Sequence, residues 1–163
     1  MPLDTPKRSQ GDAVLDLIGN TPMVEATRLD TGPCKLFLKL ENQNPGGSIK
    51  DRIGLSMIEA AERDGRLKPG GTIVEATAGN TGLGLALVAS QKGYKLILVV
   101  PDKMAREKIF NLRALGTEVV LTRSDVGKGH PSTIRTWPNG SPLRPAHSTS
   151  INSAIQPTRR RTR

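Results

Sequence analysis

Two short stretches of this 163-residue sequence hold side chains arranged for chemistry. In the first, Asn44-Pro45-Gly46-Gly47-Ser48-Ile49-Lys50-Asp51-Arg52, paired glycines permit a tight backbone path. Ser48 stands where it would cap a following helix, with Asp51 completing a capping-box-like pattern. Lys50 then falls in the first helical turn. There the positive end of the helix macrodipole disfavours an ammonium, and any burial acts in the same sense. A lysine held partly neutral is a usable amine, the requirement for Schiff-base chemistry. A solvated surface charge beside Asp51 and Arg52 would have the same spacing, so the residues alone allow either.

The second stretch is Thr77-Ala78-Gly79-Asn80-Thr81-Gly82. It leaves an apolar run of strand length and opens an apolar helix, so successive backbone N–H groups converge on a point suited to a carboxylate or a phosphate. Asn80 adds an amide able to bond a phenolic oxygen, a carbonyl or a carboxylate. A plain strand-to-helix turn capped by Asn80 or Thr81 fits equally well. Other chemistries find less support. His130 and His147 have no ligand-spaced neighbours, so no metal site is expected, and Cys34 reads as a small packed residue in a strand. Neither a G-x-S-x-G elbow nor a G-x-x-x-x-G-K-[ST] phosphate loop occurs.

The elements that must hold these loops show in the apolar pattern. Residues 72–76 (TIVEA), 95–100 (KLILVV) and 119–121 (VVL) read as strands. Between them lie a helix at 81–92, apolar nearly all round and therefore buried, and a helix at 103–115 with Ile109, Leu112 and Leu115 on one stripe, ending at Gly116. Such a β-α-β-α-β series predicts an α/β fold with a parallel sheet and ligands at the carboxyl ends of the strands. Upstream, residues 34–41 predict a strand, and residues 49–63 a helix whose apolar stripe is Ile49, Ile53, Met57 and Ala60.

Composition bounds the rest. The apolar fraction is 36% and aromatics only 2%, so the core must be aliphatic, and the length suits one domain. No apolar stretch approaches the ~20 residues of a membrane span. A single cysteine excludes a disulfide framework and points to a reducing compartment, the cytoplasm. Charge is uneven. Residues 1–125 carry 17 Lys+Arg and all 15 Asp+Glu, while the last 38 residues carry seven Lys+Arg and no acid. Those 38 residues, rich in Pro, Ser, Thr and Arg, have the composition of a disordered tail. The tail would attract polyanions without sequence preference, yet Trp137 is its only aromatic, so no specific nucleic-acid partner is expected. A dinucleotide site is also disfavoured. Gly79, Gly82 and Gly84 give G-x-x-G-x-G rather than G-x-G-x-x-G, although Asp102 stands about 20 residues on, as that arrangement asks.

Taken together, GNTPM at 19–23, KLENQNPGGSIKDRIG at 39–54, EATAGNTGLGLA at 75–86 and PDKMAREKIFNLRALGTEVV at 101–120 resemble the pyridoxal-phosphate enzymes of the cysteine synthase and cystathionine β-synthase family. The resemblance runs collinearly over residues 12–131. It implies the three-layer αβα N-terminal domain of the fold type II enzymes, with pyridoxal 5'-phosphate as cofactor. Lys50 is implied to carry that cofactor and Asn80 to bond its ring hydroxyl oxygen. Thr77, Ala78, Gly79 and Thr81 are implied to hold the carboxylate of a small amino-acid substrate. Ala78 departs from the serine often found in that loop. The K-M-x-x-E-K run at 103–108 looks closer to cystathionine β-synthase, which joins serine and homocysteine, than to cysteine synthase, which joins O-acetylserine and sulfide.

After Pro131 the resemblance stops. Nothing beyond it is similar to the family's glycine-rich phosphate loop or to the hydroxyl partner of the pyridine nitrogen. The expectation is a truncated member with impaired or no activity, its residues 132–163 a tail unrelated to the family, of the composition a shifted reading frame of a GC-rich gene produces. The segment near 22–40 packs on the family's second domain, so Met23, Val24, Leu36, Phe37 and Leu38 are expected to lie exposed. Pairing with a second copy is allowed but not required.

Overall fold

The structure, a computed structural model, describes residues 12–77, 79–125 and 148–150. A short helix α1 (Asp12–Leu15) precedes a hairpin of β1 (Met23–Glu25) and β2 (Phe37–Lys39). A 3-10 turn (Glu41–Gln43) leads to helix α2 (Lys50–Arg63). Strand β3 (Thr72–Ala76), helix α3 (Asn80–Lys92), strand β4 (Lys95–Pro101), helix α4 (Arg106–Ala114) and strand β5 (Glu118–Thr122) then alternate. With a short strand β6 (Ser148–Ser150), the sheet order is β5-β4-β3-β6, with every pairing parallel. Both crossovers step the same way across it, so right-handed connections carry α3 and α4 on one face. The predicted α/β class and parallel sheet are what the chain adopts.

Strand β6 (Ser148–Ser150) lies within the segment expected to be a tail, in register with Thr72, Ile73 and Val74. The outer edge of β3 offers unpaired backbone donors and acceptors, which a short Ser-Thr-Ser run satisfies through its main chain. The remainder of 132–163, with both histidines and Trp137, lies outside the described residues.

Aliphatic side chains form the core, as the composition requires. Ile58, Ile73, Leu85, Val88, Leu98 and Val100 are all fully buried in one cluster. Each contributes about 1.5–3 kcal/mol of burial relative to exposure. Helix α3 carries Leu85 to Ala89 into this core and ends at Gly93, whose φ of 73° is the left-handed stop that glycine supplies without strain.

Helix α2 departs from its predicted stripe. Gly54, Met57, Ile58 and Ala61 are buried, while Ile49 is 50% exposed. Gly54 is the cause, because a Cβ there would stand 2.6 Å from the carbonyl carbon of Gly84 in α3. The two glycines let the helix backbones touch, and the buried face centres on that contact rather than on the widest aliphatic row. Cys34 also departs from expectation. It is exposed, and it precedes β2 in a turn closed by its N–H to the Thr31 carbonyl at 3.3 Å.

Candidate active site

Lys50 is the first residue of α2, and the loop before it is held from two sides. On one side, Ser48 Oγ accepts the Lys50 N–H at 3.2 Å. The predicted return contact from Asp51 to Ser48 is not made. Asp51 Oδ2 instead accepts the Gly46 N–H, because the glycine pair folds residues 46 and 47 back over the helix start. A Cβ on Gly46 would lie 2.5 Å from Asp51 Oδ1, so only glycine fits there. Asp51 is fully buried and its Oδ1 has no partner among the described residues. Burial pushes its carboxyl above the usual carboxylate range, opposed by the Gly46 N–H.

On the other side a polar network ties the loop to the GNT segment. Buried Asn44 accepts the Gly19 N–H at 2.8 Å and donates its amide to the Glu41 carbonyl at 2.8 Å. Glu41 in turn takes Arg52 through Nε and Nη2, both at 2.9 Å, and the Thr21 hydroxyl at 2.6 Å. Arg52, followed by the Thr21 hydroxyl, holds the Glu41 carboxyl down at about 2. Sequence reasoning gave none of Thr21, Glu41, Asn44 and Arg52 a role. All four stand inside the stretches 19–23 and 39–54, where only Lys50 was read for chemistry.

The facing loop opens α3. Gly79 is its N-cap, in extended backbone and without any side-chain cap, so the turn capped by Asn80 or Thr81 is not what forms. The Gly79 N–H donates to Thr77 Oγ1 at 3.3 Å, and the Gly82 N–H reaches the Gly79 carbonyl at 3.1 Å. The N–H groups of Asn80 and Thr81 have no partner among the described residues and remain available to an anion. Gly82 lies close under Thr77, where a Cβ would come 2.6 Å from Thr77 Cγ2. Ala78 lies outside the described residues.

The structure brings the starts of α2 and α3 together. A Cβ on Gly84 would stand 2.5 Å from the Lys50 carbonyl oxygen, placing the lysine's backbone one turn inside α3 from Asn80. The Lys50 side chain is half-buried, and Nζ has no hydrogen-bond or ion-pair partner among the described residues. Asn80 does not bond Lys50; its Oδ1 accepts Lys108 Nζ at 3.2 Å. Asp102, the acid of the dinucleotide alternative, is instead occupied by Ser124, accepting its N–H at 3.2 Å and its hydroxyl at 2.5 Å. Among the described residues no group of three His, Cys, Asp or Glu is placed to hold a metal ion, and no helix is long and apolar enough to cross a membrane.

An amine without a partner, an uncapped helix N-terminus and a side-chain amide are the donor set that a pyridoxal phosphate bearing an amino acid asks for on this side of its ring. The residues present fit that group. The backbone at the start of α3 is open on its outer side, since a Cβ on Gly79 would meet nothing within 4 Å.

Comparison with known proteins agrees. The family described as "Pyridoxal-phosphate dependent enzyme" matches residues 14–137. Cystathionine beta-synthase of Rattus norvegicus is 53% identical over 123 residues, covering 74% of this chain and 22% of its own length. Cysteine synthase of Staphylococcus aureus is 52% identical over 112 residues, covering 68% of this chain and 36% of its own. Among solved structures, a hydrogen sulfide-producing enzyme from Fusobacterium nucleatum matches with a TM-score of 0.67 at 50% identity, over 74% of this chain and 40% of that one. O-ureido-L-serine synthase matches with a TM-score of 0.65 at 42% identity, over 71% and 37%. The chain thus spans well under half the length of these relatives.

Proposed function

The chain belongs to the pyridoxal-phosphate dependent enzyme family, and from that premise we propose that it carries the lysine-bearing part of a β-replacement site resembling that of cystathionine β-synthase. The substrates of that reading are serine and homocysteine. Cysteine synthase chemistry, O-acetylserine with sulfide, is the second reading, favoured by the almost equal identity of the Staphylococcus aureus relative. The K-M-x-x-E-K run at 103–108 supports the first.

The observation that carries the proposal is the apposition of Lys50 and the uncapped start of α3 through Gly84. Lys50 Nζ would hold the cofactor and, once released, take the proton from the substrate's α-carbon. The N–H groups of Asn80 and Thr81, with Thr77, Ala78 and Gly79 around them, would fix the substrate carboxylate and so aim that proton at the amine. The Asn80 amide would bond the cofactor's ring oxygen. When bound, pyridoxal phosphate supplies the electron sink for the α-carbon. Within these 163 residues nothing matches the family's phosphate loop or the partner of its pyridine nitrogen, so turnover by them alone is proposed to be impaired or absent.

The test is to incubate the chain with pyridoxal phosphate, reduce with borohydride and map the modified peptide. A single adduct at Lys50 is expected. A folded chain with no adduct, or with adducts spread over surface lysines, would overturn the reading.

A further inference from the structure

Lys108 is exposed on the first turn of α4, and its ammonium donates to Asn80 Oδ1 at 3.2 Å. The contact is set by the packing beneath it. Met104 and Leu112 are buried at 8% and 3% exposure, and together with Leu83 of α3 they line a cavity of only about 20 Å³ under Asn80 and Lys108. That space suits one water at most, so no ligand sits between the two helices there. Among the described residues, the lysine's hydrogen-bond partner is the amide itself.

An ammonium has three donors and no acceptor, so it can face only the carbonyl end of a carboxamide. Turning the Asn80 amide over would set its NH₂ group against a positive charge. Lys108 therefore selects the amide orientation and leaves Nδ2 as the free, donating end. A cation on the oxygen also polarises the amide and makes its N–H the stronger donor.

We propose that Lys108 is a positioning residue, holding the Asn80 amide so that it donates to the ring oxygen of the bound cofactor. This rests on the functional reading above, in which Asn80 meets that oxygen. It gives a task to the last residue of the K-M-x-x-E-K run: Met104 packs the start of α4 against α3, and Lys108, one turn on, reaches the site.

The test uses the full chain and pyridoxal phosphate. Lys108→Met keeps most of the aliphatic stem and should fold normally, since the side chain is exposed. Its cofactor affinity is expected to fall roughly three- to tenfold, the worth of one exposed charge-assisted hydrogen bond or slightly more. The visible absorption bands of the lysine-bound cofactor should change their ratio, and Lys108→Arg should restore both. On an Asn80→Ala background, Lys108→Met should have no further effect. Without cofactor, the Asn80 side-chain N–H resonances should shift in Lys108→Met. Unchanged resonances, unchanged affinity and spectrum, or an equal loss on the Asn80→Ala background would each overturn the proposal while the Lys50 adduct stands. A wild-type chain that forms no Lys50 adduct would remove the functional reading and this inference with it.

Discussion

Between α2 and α3 the backbones meet at Gly54 and Gly84 and close over a dry core, whereas the β1–β2 hairpin leaves Met23, Val24, Phe37 and Leu38 each more than 40% exposed. Both regions are locally well formed. The hairpin has three paired positions and is joined to the site by the Lys39 ammonium, which donates to the Thr21 carbonyl. What separates them is where their apolar surface goes. The helix pair spends its glycines on approach and buries its facing side chains, among them Met57, Ile58, Leu85 and Val88, which fixes Lys50 relative to α3. A two-stranded hairpin exposed on both faces has only its ladder and a few polar ties to hold it. The chemistry proposed above is placed on the first region, where the backbone contact between Gly54 and Gly84 fixes one helix start against the other.

The strongest way to break this comparison is to put a methyl group into the helix contact. On helix propensity alone, Gly84→Ala should stabilise by about 1 kcal/mol. Yet the new Cβ would lie 2.5 Å from the Lys50 carbonyl oxygen and 2.8 Å from its carbon, both backbone atoms that cannot rotate away. Overpacking of about 3 kcal/mol outweighs the propensity gain, so a net loss of about 2 kcal/mol is expected. A urea midpoint measures it, and a stabilised Gly84→Ala would show that α2 and α3 are not in contact as described. The same variant should also weaken Lys50 adduct formation, because the lysine moves with α2.

The parallel sheet of β3, β4 and β5 and the buried α3 were legible because aliphatic runs of strand length alternate with helical periods, whereas β6 on the outer edge of β3 was not. The face of α2 was not. Periodicity ranks residues by apolar size and gives glycine no weight, while Gly54 governs this helix by having no side chain. Two landmarks of the candidate site were legible: Lys50 stands in the first turn of α2 and Asn80 at the start of α3. The Thr21–Glu41–Asn44–Arg52 network was not, because its hydrogen bonds, apart from the local one from Asn44 to Glu41, join residues 11 to 31 apart and leave no periodic trace. Lys108 was hidden for the same reason, joined to Asn80 across 28 positions. The Asp51 contact to Gly46 replaced the capping box because positive φ at Gly47, 77°, turns the loop back on itself.

Two smaller effects sharpen the comparison by titrating one tie beside each region. Glu41 anchors the loop next to the hairpin, and its carboxyl is lowered from 4.5 to about 2, chiefly by Arg52. A depressed carboxylate contributes stability that is present above the ordinary value and is lost as pH falls toward the folded one. Stability of wild type should therefore fall between pH 4.5 and about 2 more steeply than that of Glu41→Gln, as read from urea midpoints across that range. Parallel curves would show that the network carries no net stabilisation. At the helix pair, Glu62 accepts the Tyr94 hydroxyl at 2.7 Å, and burial with this bond raises the phenol from 10 to about 12. A raised acid gives stability that is complete below the ordinary value and is lost as pH climbs through the folded one. Tyr94→Phe should cost under about 1 kcal/mol at neutral pH, the bond being partly exposed. It should also remove the alkaline loss between pH 10 and about 12, and a mutant retaining that loss would point to another titrating group.

The smallest effect is expected in the hairpin, where it decides the most. Phe37 is 49% exposed and Leu38 45%, so replacing Phe37 with serine gives up only part of the surface that a core aromatic takes from water. The urea midpoint of Phe37→Ser should stay within about 0.5 kcal/mol of wild type, against the 2–5 kcal/mol typical when a fully buried leucine such as Leu98 becomes alanine. An exposed aromatic beside Leu36 and Leu38 does favour contact with other apolar surfaces, so self-association measured by light scattering should decrease in the same variant. A loss of 2 kcal/mol or more would mean that the hairpin's apolar side chains are packed against something in solution, and the contrast between an over-determined helix pair and an uncovered hairpin would then fail at its weaker side.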